Sequence, residues 1–104
     1  MKQRRMPIDI DHLTRQAGGN SMLAREVLRL FCDRTPQDFE RLKALDGRDR
    51  QEVAHLIVGS ARAIGAAELA YYAAAVEAGG ADLDALEAAL AEAEAFATIY
   101  LAAA

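Results

Sequence analysis

Two histidines, one cysteine and sixteen carboxylates are the side chains of this 104-residue sequence suited to nucleophilic or acid–base chemistry. The segment that stands out is Ala54-His55-Leu56-Ile57-Val58-Gly59-Ser60-Ala61. An imidazole is a nucleophile near neutral pH when one ring nitrogen is held as N–H and the other keeps its lone pair. Gly59 lies one helical turn beyond His55, inside an otherwise helical pattern. A mid-helix glycine costs up to about 1 kcal/mol relative to alanine. Alanine is abundant here, with 24 copies, so the glycine asks for a reason. Residues 55, 58, 59 and 62 are spaced three and four apart and share a face. That face is rotated away from the expected inward stripe of Val53, Leu56, Ile57, Ser60 or Ala61, and Ile64. His55 then points outward, with bare backbone beside it where another molecule can approach the imidazole.

A second relation is geometric. His55 lies ten residues before Gly65, and Glu77 lies twelve after it. In an antiparallel helical hairpin turning at Gly65, the two side chains sit at about the same height. Glu77 then accepts a hydrogen bond from one imidazole N–H, which fixes the tautomer and leaves the other nitrogen free. The competing reading is an ordinary surface histidine and a glycine used for packing. The remaining reactive residues read plainly. His12, beside Asp11, is expected on the surface, and Cys32 is expected to be a buried structural thiol. Tyr71, Tyr72 and Tyr100 are expected to pack. Two histidines 43 residues apart, with no Cys or His neighbours, make a poor zinc site.

The elements that must position these residues are helices. Alanine is the best helix former and a poor strand former. Met6-Pro7-Ile8-Asp9 leads into a short helix over about 11–16, which Ala17-Gly18-Gly19 ends. Asn20 caps a second helix carrying Leu23, Val27, Leu28, Phe31, Phe39, Leu42 and Leu45. Thr35-Pro36 is expected to kink or restart it. A third helix spans about 49–64, broken by Gly65. A fourth runs over about 67–78 with Leu69, Ala73 and Val76 inward, and Gly79-Gly80 ends it. Asp82 caps a fifth helix with Leu83, Leu86, Leu90, Ala93, Ala97 and Leu101 at helical spacing. The expectation is an all-α single domain over 1–104. It is an up-down-up-down four-helix bundle with a short extra N-terminal helix and a flexible arm over 1–8.

Composition excludes several classes. The length allows one core but little room for a deep cleft as well, so a multi-substrate enzyme is not expected. One cysteine excludes an internal disulfide framework. The basic residues 1–5 are followed by no apolar stretch, so no signal peptide or membrane span is expected, and the chain reads as soluble and cytoplasmic. All 12 Lys and Arg lie within residues 1–62, and the formal net charge is −4. An acidic second half argues against nucleic acid as the main partner. No Gly-rich loop carrying a lysine is present, so no ATP site and no autonomous kinase activity are expected.

The sequence over residues 28–69 resembles the histidine-containing phosphotransfer (HPt) domain family. Its motif, His-x-x-Lys-Gly followed by Ser or Ala, is matched by His55-Leu56-Ile57-Val58-Gly59-Ser60, with Val58 in place of the lysine. Leu30-Phe31 and Ala63-Ile64-Gly65-Ala66 extend the match, and Asn20 to Leu30 resembles the entry to the family's second helix. The resemblance implies that His55 accepts a phosphoryl group from an aspartyl phosphate and passes it to another aspartate. The partners it implies are receiver domains of response regulators or hybrid histidine kinases. Gly59 would give the receiver room, and Glu77 matches a position where the family often has Gln bonded to the imidazole. Ser60 completes the motif, and Arg62, on the same face, would partly replace the missing lysine. The chain would need no cofactor of its own, Mg²⁺ being carried by the receiver, and would act as a monomer. The alternative implied by Val58 is a degenerate HPt-like module that docks receivers or kinases without carrying phosphate. An alanine-rich C-terminal helix also admits an oligomerising bundle.

Overall fold

The computed structural model describes residues 6–103. Five helices follow in order: α1 (Ile10–Gln16), α2 (Ser21–Ala44), α3 (Gly47–Ile64), α4 (Ala67–Glu77) and α5 (Leu83–Ala102). No strand occurs among the described residues. Three of the five helix starts are capped by a side chain. Asp9 accepts from His12 N at 3.0 Å, Asn20 from Leu23 N at 3.0 Å, and Asp82 from Ala85 N at 3.1 Å. Each side chain thereby satisfies one of the free amides of a helix N-terminus.

The helix α2 is a single 24-residue element running through Pro36, where an interruption is expected. Proline removes one ladder hydrogen bond and crowds the preceding turn, at about 3 kcal/mol. The inner face of α2 outweighs this. Leu28, Phe31, Phe39 and Leu42 are buried on both sides of the proline. Each such burial contributes about 1.5–3 kcal/mol. Restarting the helix at Pro36 would take one half of that stripe out of register with the core. The neighbouring Thr35 is fully buried, and its hydroxyl has no partner.

Packing contacts join α2 to α3, α3 to α4, α4 to α5, and α5 back to α2. The four longer helices therefore form a closed ring around one core, and α1 leans on α2 and α3. Arg25, near the start of α2, closes the ring. It donates to the Leu101 carbonyl at 2.6 Å and lies 5.6 Å from the centre of the Tyr100 ring, at the C-terminal end of α5.

The turn between α3 and α4 is closely packed. Gly65 has φ +75°, and a Cβ there would meet the Asp9 carbonyl oxygen at 2.9 Å. Both the left-handed backbone and the close approach demand glycine. Asp9 N donates to the Gly65 carbonyl at 3.0 Å. His12, expected on the surface, donates from Nε2 to the Arg62 carbonyl at 3.0 Å. Its ring thus ties α1 to the last turn of α3. Ile8 is also buried, so the expected arm over 1–8 gives way to core by residue 8. Residues 1–5 of that arm lie outside the described residues.

The inward face of α3 differs in phase from the expected stripe. Val53, Ala54, Ile57, Val58, Ala61 and Ile64 are buried, whereas Leu56 is 51 % exposed. At about 100° per residue these six positions cover an arc of roughly 140°. The breadth follows from the neighbours, since α3 packs against α1, α2 and α4. A face serving several partners extends beyond one stripe, which draws Val58 in and leaves Leu56 outside. No helix among the described residues is long and apolar enough to cross a membrane.

Candidate functional site

His55 projects from the exposed side of α3, with 71 % of its side chain accessible. Its Nδ1 lies 2.6 Å from Glu77 Oε2, at the last residue of α4. The two-residue turn at Gly65-Ala66 folds α4 back along α3, and this sets the register that brings residues 55 and 77 together. With Nδ1–H donating to the carboxylate, the lone pair of the neutral ring is on Nε2, on the solvent side. A charged acceptor makes this one of the stronger hydrogen-bond types.

Gly59 stands one turn further along the same face. A Cβ added there would meet nothing within 4 Å. Its φ is not in the left-handed region, so neither the backbone nor a packing neighbour requires glycine. The packing explanation is thereby removed within the described chain. What the missing side chain provides is a clear approach to the backbone beside the imidazole.

The other residues of the motif separate. Ser60 is half-buried, on the opposite flank of α3 from His55. Val58 is only 3 % exposed and belongs to the core, so it does not join His55, Gly59 and Arg62 on the outer face as expected. It offers no apolar surface to a partner. Arg62 is exposed but lines a different cleft, of about 970 Å³, shared with Asp9, Asp11 and His12 at the hairpin turn. Beside His55 there is instead a shallow groove of about 340 Å³ lined by Arg48, Gln51, Glu52, His55 and Glu77. Arg48 and Gln51 were not singled out by sequence. The signal was present, since both share the face of His55 at spacings of seven and four. It was masked because Asp46-Gly47-Arg48-Asp49 reads as a break. The helix in fact starts at Gly47.

Cys32 is half-buried, and its thiol pKa is raised, first by burial and then by the charges of Glu94 and Asp33. Both effects disfavour the thiolate and leave it a poor nucleophile. Tyr71, expected to pack, is 69 % exposed, with its ring edge-on to Tyr72. Among the described residues no three His, Cys, Asp or Glu side chains gather as a metal site would require.

The sequence model of the Hpt domain matches residues 26–103, most of the chain. The chain belongs to the Hpt domain family. No curated protein and no solved structure matches it. Membership places this Hpt domain among the phosphotransfer domains of two-component signalling, whose partners are receiver domains. The matched span contains α3, α4, α5 and all but the first turns of α2. It includes His55, Gly59 and Glu77 and leaves α1 outside. Within this Hpt domain the lysine position of the motif is both uncharged and turned inward.

Proposed function

We propose that this Hpt domain is a phosphocarrier of a multistep phosphorelay, with His55 as the phosphoacceptor. The observation that carries the reading is the exposed imidazole whose Nδ1 is held by Glu77 beside an unobstructed Gly59. The Nε2 lone pair attacks the phosphorus of an aspartyl phosphate on a receiver. The N–P bond forms as the P–O bond to the aspartyl carboxylate breaks, and that carboxylate stays on the receiver. The proton remains on Nδ1, where Glu77 balances the positive charge that the substituted ring acquires. Transfer to a second receiver reverses these steps, with its aspartate as nucleophile.

Such transfer requires in-line positioning and charge stabilisation more than covalent machinery. The receiver supplies Mg²⁺, and this chain supplies a rigid nucleophile without kinase activity of its own. In this reading the ring of helices is an up-down-up-down bundle acting as one cytoplasmic, monomeric domain. Gly59 gives the receiver backbone access, and Arg62 stands one turn beyond it on the same exposed face. The buried Val58 favours one second reading, a module that docks receivers or kinases without carrying phosphate.

Incubation with a panel of phosphorylated receivers decides between them. The relay reading expects an acid-labile, base-stable label on His55, and a folded His55→Gln variant that takes none. Labelling of His55→Gln equal to wild type removes the assignment. Receiver binding that survives His55→Ala, with no transfer from any receiver, establishes the docking module instead.

A further inference from the structure

We propose that Arg48 is the cation that contacts the phosphoryl group on His55, in the role left empty by Val58. The inference rests on the phosphotransfer reading above. It begins with the charge balance of the groove beside the imidazole. Phosphorylation adds roughly −1.5 to −2 charges at neutral pH. The carboxylates lining the groove are Glu52 and Glu77. Glu77 is engaged with Nδ1–H, but Glu52 lies one turn before His55 on the same helix. A phosphoryl group placed beside these two charges needs a compensating cation.

Arg48 is the one cation lining this groove among the described residues. It takes part in none of the ion pairs among them, so its guanidinium is uncommitted. Residues 48, 52 and 55 fall on successive turns of the exposed face. Helical side chains lean toward the N-terminus of their helix. The His55 ring is carried back over the turn of Gln51 and Glu52, and the Arg48 side chain leans the same way, so what joins the two is the groove that both line. Gln51 lines the same groove and offers an amide donor between the two. Guanidinium also matches phosphate oxygens through paired N–H donors, which a lysine ammonium cannot do.

Arg62 is the rival on spacing alone, seven residues on the other side of His55. It lines the cleft at the hairpin turn with Asp9 and Asp11, and not the groove that holds His55. The motif position itself is closed to the role, because Val58 is buried. Arg48 is left as the cation facing the site.

The test separates this contact from the relay. The full chain is loaded chemically with phosphoramidate, whose P–N bond breaks with release of ammonia as phosphorus bonds to His55 Nε2. Phosphorus NMR then follows the second ionisation of the phosphoryl group against pH, at low and high salt. A neighbouring cation favours the dianion and lowers that ionisation. In Arg48→Ala the midpoint rises by about half a unit, a modest shift because the pair is exposed. Arg48→Lys recovers part of it, and added salt shrinks the difference. Arg15→Ala, a charge-matched change on α1, leaves the midpoint at the wild-type value.

A wild-type midpoint in folded Arg48→Ala overturns the proposal, as does a shift in Arg62→Ala with none in Arg48→Ala. Failure of phosphoramidate to load His55 at all also overturns it. Transfer from receivers is measured separately. A shifted midpoint with no receiver transfer sinks the relay reading alone. Normal transfer with an unshifted midpoint sinks the Arg48 assignment alone.

Discussion

At the scale of single residues, the site depends on one hydrogen bond of 2.6 Å between His55 and Glu77. In the proposed relay Glu77 has two tasks: to hold Nδ1–H and to offset the charge of the phosphorylated ring. A hydrogen bond to a charged group contributes about 1.5–3 kcal/mol. Glu77→Ala is therefore expected to slow phosphoryl transfer by roughly ten-fold or more. Glu77→Gln keeps an acceptor oxygen without the charge and should fall between the two. Rapid-quench transfer from a phosphorylated receiver measures both, and a Glu77→Ala rate equal to wild type would remove the carboxylate from the mechanism. This pair was legible in the sequence, because the spacing about Gly65 sets the hairpin register. Arg48 was not, because an Asp-Gly step hides a helix start. Val58 was misread, because spacing alone does not say how many neighbours a helix has.

At the scale of the element, α3 reconciles two demands. Its inner arc builds the core through Ile57, Val58 and Ala61, while its outer face carries His55 and Gly59. Gly59 weakens the helix without serving any contact inside the chain. Gly59→Ala should therefore stabilise the fold by about 0.5–1 kcal/mol. Urea unfolding tests this through a higher midpoint at unchanged slope. Gly59→Phe should leave chemical loading by phosphoramidate intact and cut receiver transfer by about ten-fold or more, the effect of roughly 1.4 kcal/mol of steric loss. Equal loss in both assays would mean that the glycine acts on the imidazole and not on the partner. Helix boundaries were largely readable from Asn20, Gly65 and Asp82, since caps are local. The continuity of α2 through Pro36 was not, because it comes from Phe31 and Phe39 packing into the same core.

At the scale of the whole molecule, the ring of helices must close between its first long helix and its last. Arg25 makes that closure by donating to the free carbonyls at the end of α5 while lying against Tyr100. A cation at a helix C-terminus also complements the helix dipole. Arg25→Ala should lower stability by about 1–2 kcal/mol. The lowered urea midpoint should come with phosphoryl loading unchanged in the folded fraction, and an unaltered midpoint would show that α5 docks without the clamp. A pairing across 75 residues of chain has no periodicity to betray it, so sequence spacing could not find it. The attachment of α1 has a mechanical meaning of its own. The α3–α4 hairpin is a pair of lever arms pivoting at Gly65, and His55 sits about 15 Å out along one of them. A pivot error of about 4° moves the arm's end by about 1 Å, enough to pull a short hydrogen bond apart. Asp9 and His12 fasten α1 to the pivot itself, through the Gly65 and Arg62 carbonyls. The seven-residue helix outside the family's matched span is thus a brace, and it steadies an imidazole that it never touches.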